Sequence, residues 1–433
     1  MIRRLLCTVG PLCLALGIGA CATVPLEFDE EISDYRWEVE RLHRDIARNP
    51  GSGVAHRDLG IIYLRTGSEL EASNHLQSAY ELGERDPRLI FYLGLAYEMI
   101  GLGETALRLY ETYPDVPRSS PYRRLMSGRY DVLVRERIGA EMSQLVEVEE
   151  NLAGTVPSNA VAVYGLRYSG TDESYAPLGR GLAEMLTVDL SVVSQLRVLE
   201  RGRIEALQDQ IELGRLQITT PETSPRSGRF LGAGRIVSGT LSVLSGRELR
   251  VDGALLETNS AAVQSLPPQT DELEGFFMLE KRMVYDVLTE MNIELTEAER
   301  QQIEAVPTRN LQAFLAYSRG LLSEDAQDFE AAAAFFEQAG SLDPTFTVAS
   351  ARGERALGMS AAMGSPADVL LGAKTIEPVL PGSTWDLVID RLDHLGEGVS
   401  SPLVSTSESR KPGPEGLTTS LPDPPDPPRN GNQ

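Results

Sequence analysis

The sequence predicts an α+β chain of several domains, with helical repeats flanking an α/β domain built on a mixed sheet. Three observations carry that expectation. The string "LGIIY" (Leu59, Gly60, Tyr63) returns as "LGLAY" (Leu93, Gly94, Tyr97) about 34 residues later, a period at which paired helices repeat. Between Ala160 and Met291, short apolar strands and amphipathic helices alternate in the order β-α-β-α-β-β-β-α. After that segment, "DFEAAAAFFEQAGSLDP" restores the small-residue helical pattern of the first repeats. A length of 433 residues with 42% hydrophobic content supports two or three domains with substantial cores.

The chain opens with "MIRRLLCTVGPLCLALGIGA", a basic start followed by an apolar stretch broken by Gly10, Pro11, Gly17 and Gly19. This is the layout of a cleaved signal peptide over residues 1–20, at the short end of what spans a bilayer. The cut precedes Cys21 in "IGAC" (Ile18, Gly19, Ala20, Cys21), which resembles the lipobox of bacterial lipoproteins. The resemblance implies a lipid on Cys21 and, because Ala22 and not Asp follows, passage to the outer membrane, facing the periplasm. Cys7 and Cys13 leave with the signal, so Cys21 would be the sole mature thiol and no internal disulfide can form. Several acyl chains anchor stably, at about 0.8 kcal/mol per buried methylene. With a formal charge of −23, made more negative by loss of Arg3 and Arg4, the chain is a poor ligand for nucleic acid or anionic headgroups.

Residues 21–35, "CATVPLEFDEEISDY", read as an acidic tether, and residues 36–152 as a helical domain. Ala72, Leu76 and Ala79 follow the first "LG" copy, and Ala106 and Tyr110 follow the second at matching offsets. The pattern resembles tetratricopeptide repeats, although neither copy has the usual Trp, Pro87 falls late, and Tyr113 replaces an alanine. Trp37, Val39 and Leu42 lie on a helix expected to cap the array. In that family the first helix of each repeat lines a concave groove. Arg57, Ile61 and Arg65 would face it from one helix and Phe91, Leu95 and Met99 from the next, by i, i+4, i+8 spacing. These six are the candidate contacts for an envelope or secreted protein; the alternative is that the apolar ones pack against neighbouring helices.

A polar helix over 133–152 leads to "GTVPSNA", after which residues 157–298 form the α/β domain. "AVAVYGLRYSG" is a strand, and Leu178, Leu182, Met185, Leu186 and Leu190 give the next helix its apolar face. "LRVLER" and "GRIEALQDQIEL" repeat strand and helix. Ile236 to Thr258 then reads as a hairpin turning at Ser245-Gly246, with a short strand near 261–266 and a closing helix "FFMLEKRMVYDVLTEM". The phrases "LGRGLAEMLTVDLSVVSQLRVLERGRIEALQDQ" and "GRIVSGTLSVLSGRELRVDGALLET" resemble the periplasmic α/β domain shared by CsgG-like proteins and the TolB amino-terminal family.

Residues 307–358 hold a further helical pair, with Gly320, Ala332, Phe336, Ala339 and Pro344 on tetratricopeptide positions. From 359 to 400 the pattern weakens, although "ADVLLGAKTI" and "TWDLVIDRL" suit short helices. Residues 401–433 are rich in Pro, Ser and Gly and read as disordered.

No catalytic constellation emerges. The four histidines, His43, His56, His75 and His394, are scattered in sequence, form no H-E-x-x-H pair, and read as surface residues. "GAGR" at 232–235 lacks the Lys-Ser/Thr of a phosphate loop, and "YSGTDES" offers Ser169, Asp172 and Ser174 without a histidine in its domain. Glu149-Glu150 reads as a solvated face. The expectation is a non-enzyme with no cofactor and no metal. A secretion pore of the CsgG type needs membrane hairpins of over about 20 residues, whereas "GRLQITTPETSPRSG" is short, charged and proline-containing. The sequence therefore favours a lipid-anchored periplasmic scaffold, held at the membrane by its lipid and at other proteins by its repeats. A component of a CsgG-type secretion complex is the alternative, and homo-oligomer formation stays open.

Overall fold

The computed structural model describes residues 29–147, 155–212, 224–244 and 247–376. Cys21, the Ser245-Gly246 turn, "TWDLVIDRL", His394 and the 401–433 tail lie outside them. The first helix, α1 (Asp29–Arg48), begins inside the stretch read as tether.

Two helical hairpins follow, α2 (Gly53–Arg65) with α3 (Glu69–Glu81) and α4 (Pro87–Met99) with α5 (Gly103–Tyr110). Ser52 and Asp86 cap α2 and α4 by accepting from Ala55 and Leu89 N–H, with Pro87 at a position where no N–H is needed. Each hairpin is closed by the absence of one side chain. A Cβ on Gly60 would stand 2.6 Å from Leu76, and one on Gly94 would stand 2.4 Å from the Tyr110 ring. The same relation recurs far along the chain, where a Cβ on Gly320 would meet Phe336 at 2.5 Å. The "LG" repeats therefore mark helix–helix crossings in which a large residue of the second helix rests on the backbone of the first.

Helix α6 (Pro121–Glu147) is longer than the polar helix expected at 133–152 and starts earlier. At about 1.5 Å per residue it spans roughly 40 Å. Its first half joins the helical core through Tyr122, Leu125 and Met126, and its second half enters the sheet domain through Ile138, Met142 and Leu145. A domain boundary near 152 thus falls beyond a helix shared by both sides.

The sheet domain comprises β1 (Ala160–Val163), β2 (Arg167–Tyr168), α7 (Pro177–Ser191), β3 (Arg197–Val198), α8 (Arg201–Glu212), α9 (Ser224–Leu231), β4 (Arg235–Val243), β5 (Glu248–Glu257), β6 (Val263–Ser265), β7 (Gln269–Glu272) and α10 (Phe276–Glu290). Strand order is β3-β1-β4-β5-β6, with β2 on β4 and β7 on β5. β1 runs parallel to β3 and β4, while β4, β5 and β6 are antiparallel, so the sheet is mixed as expected. The central β1 is buried on both faces: Val161 and Val163 face α7 and α10, whereas Ala162 and Tyr164 face α6, α8 and α9. Two elements go beyond the expected order: α9, which begins inside the charged, proline-containing "GRLQITTPETSPRSG", and β7, whose polar "QTDE" carries no apolar signal.

The chain then forms α11 (Glu297–Ile303), α12 (Leu311–Asp325), α13 (Phe329–Leu342), α14 (Thr347–Ala362) and α15 (Pro366–Ile376). These do not make a separate domain. Phe314 of α12 packs on Phe276 and Phe277, with ring centroids 5.3 and 5.4 Å apart, and belongs to the core of the sheet. At the other end α14 crosses α6 so closely that a Cβ on Gly128 would lie 2.0 Å from the Gly358 carbonyl oxygen. The helices before and after the sheet domain therefore form one array, α2-α3-α4-α5-α6-α14-α13-α12, into which the sheet domain is inserted. α15 completes it by burying Val369, Leu370 and Ala373 in the same core as α4.

Candidate functional site

The six expected groove residues share one apolar region, but most are closed to a partner. Ile61, Phe91 and Leu95 have no exposed surface, Arg57 and Arg65 are buried, and only Met99 is half-exposed. Arg57 is spent on Asp58 (2.9 Å) and on Asp86 (2.7 Å), and Arg65 donates to the Tyr92 hydroxyl at 3.0 Å. Phe91 rests on Tyr122 of α6, and α15 lies against α4. The expectation that these side chains line an open groove is corrected: the alternative, packing between helices, is what the fold realises. A short array covers its own inner face with α6 and α15.

The most heavily charged interior lies where the array meets the sheet domain. Arg180 of α7 donates to Asp325 of α12 at 2.9 Å and to Glu184 at 2.9 Å. Arg201 of α8 bridges Glu205 at 3.0 Å and Asp325 at 3.1 Å, and Arg135 of α6 reaches Glu205 at 3.5 Å. Arg352 of α14 bonds Glu324 at 3.0 Å, the Tyr317 hydroxyl at 3.1 Å, and Glu184. Arg355 clamps Asp131 of α6 through two 2.6 Å bonds. Each arginine is bonded to a carboxylate, so five helices are joined through ion pairs. Burial alone would raise Glu184, but Arg352 and Arg180 hold its carboxyl down at about 2. Glu205 goes the other way, to about 7, because burial and the adjacent Asp325 favour its protonated form over the pull of Arg201 and Arg135.

The α6–α14 joint has its own buried pair. Arg129, 1% exposed, donates to the Ala362 and Gly364 carbonyls at 2.8 and 3.0 Å, and to Glu98 of α4, which also accepts from Tyr110 at 2.8 Å. Inside the sheet domain, Lys281 pairs with Asp189 and lies 3.1 Å from fully buried Glu280. Burial, with Asp189 close by, raises the Glu280 carboxyl well above its usual range.

The histidines are not scattered in space. His56 of α2 and His75 of α3 face each other with Nδ1 atoms 3.0 Å apart, and His43 of α1 bonds the Tyr63 hydroxyl through Nε2 at 2.9 Å. Tyr63 stacks on His75 at 5.6 Å. Burial, with His56 and His43 beside it, lowers His75 to about 4, which keeps its ring neutral. The sequence carried no signal for this convergence, because each histidine comes from a different helix. Among the described residues, no three His, Cys, Asp or Glu side chains are arranged to hold a metal ion. A cleft of about 380 Å³ at the end of α10 is lined by Tyr285, Thr289, Ile293, Glu294 and Arg300 among others. No helix among the described residues is long and apolar enough to cross a membrane.

Comparison with known proteins bears on the sheet domain. Residues 142–248 match the family model described as "Curli production assembly/transport component CsgG". The match begins at Met142, on the part of α6 that packs against the sheet, and ends at the first residue of β5. Among solved structures, the LpoB C-terminal domain from Salmonella enterica is similar, at 14% identity and a TM-score of 0.22, covering 31% of this chain and 95% of that one. No curated protein matches significantly. Residues 142–248, from the second half of α6 through β4, are thus CsgG-like, set within a helix-rich array.

Proposed function

We propose that this chain is a lipid-anchored scaffold of the bacterial cell envelope, held through Cys21 at the outer membrane and facing the periplasm, and that it assembles proteins without turnover. The observation that carries the proposal is the segment at 142–248, which matches a family model described by assembly and transport. Its rigid union with a helical array supports a structural role: the sheet domain has helices locked to it on both sides. The tetratricopeptide character of the hairpins, supported by the Gly60, Gly94 and Gly320 crossings, belongs to the same proposal. With Phe91 and Leu95 buried, partner contact falls on the outer faces, where Trp37, Leu70 and Leu82 stand exposed.

The same family description favours a second reading, a component of a CsgG-type secretion complex. Two features weigh against a membrane hairpin of its own. The charged, proline-containing sequence "GRLQITTPETSPRSG" is shorter than the 20 or so residues that two spanning strands require. The β4–β5 hairpin is paired on both sides within the domain's sheet. The test is the mass and composition of the full chain extracted from envelopes in mild detergent. A small oligomer carrying a different envelope protein supports the scaffold; a homomeric ring supports the channel and overturns it.

A further inference from the structure

We propose that the outer face of α1 pairs two copies of this chain, antiparallel, about a two-fold axis beside residue 39. The inner face of α1 is settled: Tyr35, Val39, Leu42 and Ile46 pack against Ala55, Leu59 and Ile62 of α2. On the other side of the helix, positions 30, 34, 37, 41, 44 and 48 follow the alternating four- and three-residue spacing of a coiled-coil seam. Trp37 stands there 60% exposed, Arg44 is exposed, and the Arg48 side chain is 79% exposed. An indole so placed on the first helix of the array is a contact waiting for a partner.

The identity of that partner follows from the order of residues along the seam, which changes sign from Glu30 and Asp34, through Trp37, to Arg41, Arg44 and Arg48. Turned end over end, such a seam complements itself. A register centred on residue 39 sets Glu30 against Arg48, Asp34 against Arg44 and Trp37 against Arg41, and the two-fold axis makes each pair twice. The central pair is of the cation–π kind. Within its own helix Arg41 bonds Glu38 and Asp45, which fixes its guanidinium on the helix surface. A parallel pair would set Arg44 on Arg44 and Arg48 on Arg48, so like-charge repulsion selects the antiparallel order. The chain's formal charge of −23 opposes contact between copies in general, and a face that carries its own complement is where they can meet. Charge, more than apolar burial, holds this seam, so salt should loosen it as the screening length falls from about 10 Å at 0.1 M to about 3 Å at 1 M. The pairing needs neither the lipid nor a second kind of protein, so it and the envelope reading can fail separately.

The test is sedimentation equilibrium of the purified full chain in mild detergent, across micromolar concentrations, at low and high salt. The expected result is a reversible dimer that dissociates in 1 M salt. Arg44→Glu and Asp34→Arg should each weaken it by about tenfold or more, because each puts like charges together at two symmetric places. Exchanging the two residues, Asp34→Arg with Arg44→Asp, should restore the dimer, a rescue that a folding defect would not give. Circular dichroism checks that the single variants keep their helices. A monomer at every concentration, whether the face then meets a membrane or another protein, overturns the proposal. So does association that both single substitutions leave unchanged, as in a ring built on another surface, or failure of the exchanged pair to restore the dimer.

Discussion

Replacing Arg129 with alanine should loosen the crossing of α6 and α14 far more than its single position suggests. Arg129 supplies bonds to the Ala362 and Gly364 carbonyls at the end of α14 and neutralises Glu98, whose side chain is only 3% exposed. Two losses follow. The carbonyls lose charge-assisted bonds worth about 1.5–3 kcal/mol each at most, and Glu98 is left as a buried charge with only the Tyr110 hydroxyl as partner. Breaking a buried pair by removing one member typically costs about 3–5 kcal/mol, and that range is the expected destabilisation. Glu98→Gln in the Arg129→Ala background should recover part of it, because the stranded charge is gone. The assay is a double-mutant cycle by urea unfolding, following tryptophan fluorescence and circular dichroism. A loss under about 1 kcal/mol for Arg129→Ala, or strict additivity of the two substitutions, would refute the reasoning.

Other outcomes are expected from the same physics. Gly94→Val drives a side chain into the Tyr110 ring, 2.4 Å from its Cβ, and should destabilise by about 1–3 kcal/mol in thermal unfolding, against little change for Gly139→Ala, where nothing lies within 4 Å. Leu241→Ala, at a fully buried position of β4, should lose about 2–5 kcal/mol in chemical denaturation. Glu184, held at about 2, stabilises the fold above its unfolded value near 4.5, and this contribution, on the order of 3 kcal/mol, is lost as pH falls through about 2. Glu205, raised to about 7, contributes below 4.5 and loses its contribution as pH rises through 7. Glu205→Gln should therefore narrow the difference in urea midpoint between pH 5 and pH 8.

Local features were legible where neighbours in sequence are neighbours in space. The glycines of the "LG" repeats and the large residues that follow them sit on one hairpin, so their spacing announces the crossing. The alternation of strand and helix from 160 to 291 announced the mixed sheet for the same reason. The union of the two helical arms was not legible: Gly128 and Arg129 meet Gly358 and Ala362 across the whole sheet domain, and a lone glycine or arginine in a helix gives no hint of its partner. The groove was misjudged because helical spacing fixes which residues share a face but not what covers that face. Here α6 and α15 cover it. The buried charges at the joint also looked like ordinary surface residues, since Arg180, Glu184, Arg352 and Asp325 occur in sequence beside the polar positions of amphipathic helices. Deleting the helical repeats to isolate the sheet domain would accordingly expose its core, where Phe314 and Ile138 are part of the packing.

The most direct test of a single array is native-state hydrogen exchange followed by mass spectrometry. Cooperative units exchange with a common opening free energy. Amides of α4 and α6 should open together with those of α14 and α15, and all four should lose protection in parallel in Arg129→Ala. Rapid exchange across 347–376 while 87–147 remains protected would contradict the array and leave two independent helical arms.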